Sequence, residues 1–335
     1  MTNHETLMRR AMHMAATART HARPNPWVGA VVVCIDGSVY EGATQPPGGP
    51  HAEIVAMNAA RDGGSDVRGA TLYSTLEPCS HTGRTGPCTE AIISAGVACV
   101  VAAIADPDSH VAGTGFDALR AAGIEVVTDV LADEVSAQLA PYLHHRRTGR
   151  PFVILKMATT LDARTAIPNG PRWITGEEAR VRVHQLRAES DAIVVGSGTV
   201  IADDPELTVR HVDGTSPRRI VLSRSGAISA TAKVQPCEVW SGSLEDLLDS
   251  LGTDGVLQLM VEGGATVATA FHEQGLINRY VFHVAPIVSG SDSAPGVFVA
   301  DDALPLSDCT LVSATALGAD IEIVLDPIRK KVGTS

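Results

Sequence analysis

Apolar residues along this chain follow two alternating rhythms. Short β-branched runs at 28–34, 71–75, 97–103 and 124–127 read as buried strands. Between them, 52–61, 89–95 and 114–122 carry helical spacing, and each ends at or near a glycine, a common helix stop. Ahead of the first strand, Leu7, Met8, Ala11, Met14, Ala15 and Ala18 fall at helical intervals, which predicts an amphipathic opening helix. Residues 132–147 read as a further helix. Then Thr148-Gly149-Arg150-Pro151 breaks the pattern, and the alternation restarts. Strands are predicted at 152–157, 192–195, 219–222, 256–261 and 279–284, with helices around 176–189, 243–251 and 266–274. Such alternation implies α/β layers around largely parallel sheets. The break divides the chain into two expected domains, 1–147 and 148–335.

Composition narrows the classes. A chain of 335 residues, 44% hydrophobic and 19% charged, has material for two cores. Its formal net charge of -12 gives no field to gather phosphate backbones, which argues against a nucleic-acid partner. The N-terminal segment lacks the uninterrupted apolar core of a signal peptide. No apolar run approaches the ~18 residues that cross a bilayer, so no membrane role is expected. Six cysteines in this length do not form a dense disulfide framework. A reducing cytoplasm is the expected setting, with cysteines free for metal or core. The sequence leaves the oligomeric state open, a homo-oligomer included. Only four lysines occur, none before Lys156, so any permanent cation in the first half is a guanidinium, suited to phosphate.

One constellation carries chemistry. His51-Ala52-Glu53 is followed by Pro78-Cys79 and then Cys88. Imidazole and thiolate suit Zn²⁺, and three protein ligands leave a position open for water. Zinc brings the pKa of that water close to neutrality. Glu53, two residues from His51, is placed to move a proton from water to a departing amine. His-x-Glu with Pro-Cys and a later Cys is a signature of zinc deaminases. Three unrelated core residues are the bland alternative, and their joint order opposes it. Deaminases of nucleosides and of RNA bases usually separate the two cysteines by two residues. Here eight intervene, among them His81 and Arg84, which suits an anionic substrate.

At this point the chain resembles a known family. The segments Pro24-Asn25-Pro26-Trp27-Val28-Gly29, Gly48-Gly49-Pro50-His51-Ala52-Glu53 and Thr75-Leu76-Glu77-Pro78-Cys79-Ser80-His81 through Arg84 to Cys88 resemble the bifunctional deaminase/reductases of riboflavin biosynthesis, the RibD type. Further on, Lys156-Met157-Ala158 with Leu161-Asp162, Trp173-Ile174-Thr175-Gly176, Leu186-Arg187-Ala188, Ala202-Asp203-Asp204-Pro205 and Val261-Glu262-Gly263-Gly264 keep the family's order. The resemblance implies two three-layer α/β domains, an N-terminal cytidine-deaminase-like one and a C-terminal dihydrofolate-reductase-like one. It implies deamination of 2,5-diamino-6-(5-phosphoribosylamino)pyrimidin-4(3H)-one with one zinc, then NADPH-dependent reduction of the ribosyl group of the product to ribityl. Asn25 would bind the pyrimidine and Arg84 the substrate phosphate. Cofactor contacts would fall on Ala158, Trp173, Thr175, Thr199, Asp203, Gly264, Ala265 and Thr266. Substrate contacts would fall on Arg187, Leu207, Arg210 and Glu262.

The residues themselves say less about the second half. Gly196-Ser197-Gly198 fits either a dinucleotide turn or a tight strand connection. Glu262-Gly263-Gly264 follows an apolar strand and opens a helix, whose first N–H groups suit a pyrophosphate. Arg187 and Arg210 make a plausible phosphate clamp. Three positions depart from the family pattern: Thr44 where a histidine is usual, Ala163 for glycine, and Pro171 for serine. Two rival readings remain at this stage: a deaminase of RNA bases, and a zinc-stabilised binding protein. A further alternative keeps the deaminase but makes the reductase half non-catalytic or altered in specificity.

Overall fold

The computed structural model describes residues 3–81, 86–108, 112–167, 170–299, 304 and 308–328. The chain divides into two compact units, 1–149 and 150–335. Among the described residues no helix is long and apolar enough to cross a membrane.

The first unit runs α1 (Asn3–Ala18), β1 (Gly29–Val33), β2 (Val39–Ala43), α2 (Ala52–Asp62), β3 (Thr71–Leu76), α3 (Cys88–Ala95), β4 (Cys99–Ile104), α4 (Thr114–Ala121), β5 (Glu125–Val127), α5 (Ala132–Gln138) and α6 (Ala140–Thr148). Its sheet has the order β2-β1-β3-β4-β5. β1 is antiparallel to both neighbours, whereas β3, β4 and β5 are parallel. The layering follows from two glycines. A Cβ on Gly29 would lie 1.9 Å from the Ala11 carbonyl oxygen of α1, and one on Gly42 would lie 2.4 Å from that of Ala52 in α2. Gly29 pairs with Ala43, and Ala30 with Gly42. The two glycines therefore face opposite sides, and α1 and α2 sandwich the sheet at backbone contact. The single helix expected over 132–147 is two. Leu139 leaves helical geometry at φ -94°, ψ 10°, and Pro141 opens α6, where a missing N–H costs nothing.

The second unit runs β6 (Phe152–Thr160), α7 (Glu177–Ala188), β7 (Ala192–Gly196), α8 (Ser197–Asp203), β8 (Arg218–Leu222), β9 (Glu238–Trp240), α9 (Leu244–Thr253), β10 (Gln258–Val261), α10 (Ala265–Glu273), β11 (Arg279–Ala285), β12 (Cys309–Leu317) and β13 (Asp320–Pro327). Eight strands lie in the order β12-β13-β11-β6-β10-β7-β8-β9. All pairings from β11 to β9 are parallel, and β13 and β12 add an antiparallel hairpin at one edge. Alternation sorts the faces. Val153, Leu155, Met157, Leu259 and Val261 pack with Leu244, Leu247, Leu248 and Leu251 of α9 and with Ala268 and Phe271 of α10. Each of these side chains larger than alanine contributes roughly 1.5–3 kcal/mol by leaving water. The other face lies beneath α7 and carries the ionisable groups described next.

Candidate active sites

In the first unit, three elements deliver one pocket. α2 begins directly after His51, Cys79 follows the end of β3, and Cys88 opens α3. His51 Nδ1 lies 3.5 Å from Cys79 Sγ and 3.3 Å from Cys88 Sγ. The three ligand atoms all fall within 4.8 Å of one another. The Cys88 backbone N–H donates to Cys79 Sγ at 3.4 Å, and the N-termini of α2 and α3 favour negative charge here. The Cys88 thiol hydrogen bond, with help from His51, pulls the Cys79 thiol down to about 4. Cys88 is pushed up, first by hydrogen bonding with Cys79 and then by burial. Two thiolates this close repel, and a divalent cation relieves that repulsion. Among the described residues these three form the one cluster able to hold a metal. Three soft-to-borderline donors without a fourth protein ligand fit zinc with an open position.

Glu53 sits in the first turn of α2 and is 3% exposed. Burial, reinforced by Cys79, pushes its carboxyl up to about 7. A bound cation would draw it back down, so the group can both take and release a proton near neutrality. Glu77, to which the sequence assigns no role, directly precedes Pro78-Cys79. This buried carboxylate accepts backbone N–H bonds from Asp106, Gly113, Gly115 and Phe116 at 3.1, 3.0, 2.8 and 3.3 Å. A Cβ on Gly115 would lie 2.2 Å from the Pro78 carbonyl oxygen. Glu77 thus binds the start of α4 against the turn that presents Cys79. No spacing rule marks such a carboxylate; the signal lies only in its adjacency to Pro78-Cys79.

Asn25 is half-buried on the loop before β1. Thr44, at the usual histidine position, is 3% exposed. Its hydroxyl accepts the Val28 N–H at 3.0 Å and donates to the Val28 carbonyl at 3.3 Å. It therefore ties β2 to the start of β1. Arg84 lies outside the described residues.

In the second unit a cleft of about 1470 Å³ opens along the strand ends. It gathers Ala158, Trp173, Thr175, Thr199, Asp203, Gly264, Ala265 and Thr266, and also Arg187, Leu207, Arg210 and Glu262. No side chain caps α10, whose N-cap is Gly264, so its first turn offers N–H groups at the cleft wall. The Gly264 N–H itself donates to Thr199 Oγ1 at 3.1 Å, which links the turns after β7 and β10. β7 passes into α8 without an intervening loop, which resolves the Gly196-Ser197-Gly198 ambiguity as a strand-to-helix junction. Trp173 is 59% exposed and lies between the guanidiniums of Arg172 and Arg180, 5.2 and 5.9 Å from its ring.

The two arginines do not stand as a ready clamp. Arg187 Nε and Nη2 grip Glu262 at 2.9 and 2.8 Å, and its Nη1 reaches the Thr208 carbonyl. Arg210 pairs with Glu206 at 2.6 Å, and its backbone N–H donates to His184 Nδ1 at 3.2 Å. Lys156 falls in one of the family segments, and its role is not legible in the sequence. It is 6% exposed, lines the cleft, and is the lone cation of an otherwise apolar and hydroxylic strand.

Comparison with known proteins follows the same division. Residues 1–104 match the cytidine and deoxycytidylate deaminase zinc-binding region, and residues 151–323 match the RibD C-terminal domain. The riboflavin biosynthesis protein RibD of Corynebacterium ammoniagenes is 40% identical, over 93% of each chain. That of Mycobacterium tuberculosis is 42% identical over 80% of each. The chain belongs to the RibD family. A solved RibD structure from Acinetobacter baumannii superposes with a TM-score of 0.89 at 36% identity, covering 97% of this chain and 99% of the other. As a RibD-family member the chain is a bifunctional enzyme, with a zinc-dependent deaminase domain and a reductase domain.

Proposed function

We propose that this RibD-family chain catalyses two consecutive steps on one phosphoribosylated pyrimidine. The first is hydrolytic deamination of 2,5-diamino-6-(5-phosphoribosylamino)pyrimidin-4(3H)-one. The second is reduction of the ribosyl group of 5-amino-6-(5-phosphoribosylamino)uracil to ribityl, with NADPH. The observation that carries the reading is the convergence of His51, Cys79 and Cys88 around one point, with buried Glu53 beside it. The reading sets the enzyme in the cytoplasm, where all six of its cysteines remain free.

In the deaminase half, His51, Cys79 and Cys88 would hold the metal. Zinc, when bound, supplies a water acidic enough to react near neutral pH. Glu53 takes a proton from the attacking oxygen and delivers it to the amine nitrogen, which leaves as ammonia. Asn25 orients the pyrimidine ring and Arg84 takes the 5-phosphate. Glu77 keeps the Cys79 turn fixed while this happens.

In the reductase half, NADPH supplies the hydride for C1′ of the sugar. The α10 N-terminus at Gly264, Ala265 and Thr266 would hold its pyrophosphate. Ala158, Trp173, Thr175, Thr199 and Asp203 line the remaining cofactor path. Lys156 gives a proton to the sugar oxygen released as the ring opens. Glu262 is held by Arg187, and with Leu207 and Arg210 it positions the substrate; the phosphate must draw Arg210 from Glu206.

Incubation of the purified chain with the diaminopyrimidine, followed by mass measurement, tests both halves. Without NADPH, one amino group should be replaced by oxygen; with NADPH, the product should further gain a hydride and a proton. Deamination without any NADPH-dependent product would reduce the chain to a monofunctional deaminase.

A further inference from the structure

One rim of the reductase cleft is a short segment strapped to α7. Asp204 and Leu207 both hold positive φ, 42° and 54°, a bend that only surrounding contacts maintain. Two hydrogen bonds to α7 supply such contacts. Arg187 Nη1 donates to the Thr208 carbonyl at 3.2 Å, and the Arg210 N–H donates to His184 Nδ1 at 3.2 Å. His184 and Arg187 stand three residues apart on α7 and so share a face. Both line the cleft, as do Leu207 and Arg210.

His184 is 5% exposed, and its two nitrogens have different fates. A neutral ring that accepts at Nδ1 carries its hydrogen on Nε2. That Nε2–H has no hydrogen-bond partner among the described residues. A histidine held only by packing would leave such a donor sealed, at the cost of an unmet hydrogen bond. The sealed polar atoms without a partner include Nδ1 of His283 but not Nε2 of His184. His184 Nε2 therefore opens on the cleft that its residue lines. The ring of His211 stands edge-on to it, with centroids 4.5 Å apart.

The neighbouring cations are already engaged. Arg187 is closed on Glu262 through two hydrogen bonds. Arg210 Nη1 donates to Glu206 at 2.6 Å and to Thr208 Oγ1 at 2.8 Å. Two guanidiniums thus face two carboxylates, and their charges cancel. An arriving phosphate gains most from a donor that no carboxylate already occupies.

We propose, on the reading of this cleft as the site of the 5-phosphoribosyl group, that His184 is a further substrate-binding residue of the reductase half: its Nδ1 fixes the backbone of Arg210, and its Nε2–H donates to the substrate phosphate. A neutral N–H can hold a phosphate oxygen without placing a third positive charge beside Arg187 and Arg210. Because the Arg210 backbone is pinned, its side chain can leave Glu206 and close on the same phosphate while the rim stays in place.

Ribose 5-phosphate is the smallest fragment of the substrate that carries its phosphate, and calorimetry on the full-length protein measures its binding. His184→Asn keeps an acceptor near Nδ1 and lacks the donor at Nε2. Its affinity for ribose 5-phosphate should fall about 10- to 100-fold, the size of one lost hydrogen bond to a charged group. KM for 5-amino-6-(5-phosphoribosylamino)uracil should rise by the same factor, with kcat and KM for NADPH little changed. His184→Gln, whose amide nitrogen reaches closer to the Nε2 position, should recover part of the affinity. Wild-type affinity in folded His184→Asn overturns the proposal and leaves the reading of the cleft standing, since a purely structural histidine gives that result. Failure of the wild-type protein to bind ribose 5-phosphate removes the reading of the cleft, and the proposal with it. Should His184→Asn not fold, ¹⁵N NMR of the histidine-labelled wild-type protein, assigned through His184→Gln, carries the test. His184 should be the Nε2–H tautomer, and its Nε2 signal should move on saturation with ribose 5-phosphate; a signal that stays in place sinks the proposal.

Discussion

The two sites solve the burial of charge differently. The deaminase pocket concentrates two thiols, one imidazole and one carboxyl around a point where a metal supplies the missing positive charge. Its strongest perturbations come from groups crowded together without an internal cation. The reductase cleft instead carries its own cations. Arg187 closes on Glu262 and Arg182 on Glu322, and Lys156 is buried on the same strand-lined wall. The first site is therefore chemically incomplete without its ion, and its parts are few. The second is electrostatically balanced by the protein, and its parts are spread over many elements. Single substitutions should accordingly stop chemistry in the first and weaken both chemistry and fold in the second.

Glu53→Ala gives the largest expected effect. Deamination should fall about 10³-fold, within the range for loss of a general acid–base group. Zinc content, measured on the purified protein, should stay at wild-type level because the three ligands are intact. Reduction of the deaminated substrate should not change. Wild-type deamination in this variant would sink the proton-shuttle role.

Arg187→Ala probes the contrast from the other side. It leaves Glu262, a half-buried carboxylate on the cleft wall, without its partner, which typically costs about 1–3 kcal/mol. Denaturant unfolding should show that loss in the second unit, and reduction should disappear while deamination persists. Replacing both Arg187 and Glu262 with Met should recover much of the stability and none of the reduction. A double variant as unstable as the single one would mean that the pair is not the source of the cost.

The same contrast explains what could be read from sequence. His51, Glu53, Cys79 and Cys88 fall in short motifs whose residue types state their own chemistry, and the structure brings them together. The reductase contacts were placed by resemblance, and all twelve line one cleft. What stayed hidden acts through packing. His283 and Glu322 lie on separate strands, and only the cross-strand register of β11 and β13 joins them. β12 escaped because most of its residues are exposed on either face, so no alternation marks it. β2 carries half-buried Tyr40 and Glu41, and β9 is three residues long. The hydrophobic rhythm therefore reported the central strands and the edge strand β5, and passed over β2, β9 and the β12–β13 hairpin.

His184 offers a titration outside the metal pocket. It is 5% exposed, and its Nδ1 must be unprotonated to accept the Arg210 N–H. Burial, then Arg187, His211 and Arg210, lower its pKa from 6.5 to about 4. The folded state thus binds fewer protons than the unfolded one. Stability from this group is fully present above about pH 6.5 and is lost as pH falls toward about 4. The loss should approach roughly 3 kcal/mol. His184→Asn, which keeps an acceptor but cannot charge, should remove that portion of the pH dependence in urea unfolding between pH 7 and 4.5. Parallel curves for the two proteins would show that His184 does not titrate in this window.

The smallest expected effect comes from Ala163, one of the departures from the family pattern. It follows Asp162, whose carboxylate accepts the Thr160 hydroxyl and the N–H groups of Ser289 and Gly290 at 2.6, 2.9 and 2.9 Å. That anchored turn leaves Ala163 at φ 58°, in the left-handed region where a Cβ costs roughly 1–2 kcal/mol. Its side chain is exposed, so removing the methyl sacrifices no packing. Glycine would relieve the strain but add backbone freedom to the unfolded chain, which offsets roughly 0.4–1 kcal/mol of the gain. Ala163→Gly should therefore stabilise the second unit by about 0.5–1 kcal/mol, seen as a higher urea midpoint at an unchanged slope. The deaminase unit, which holds neither this turn nor its anchor, should unfold as before. A destabilised Ala163→Gly would show that the methyl does more in the turn than strain it.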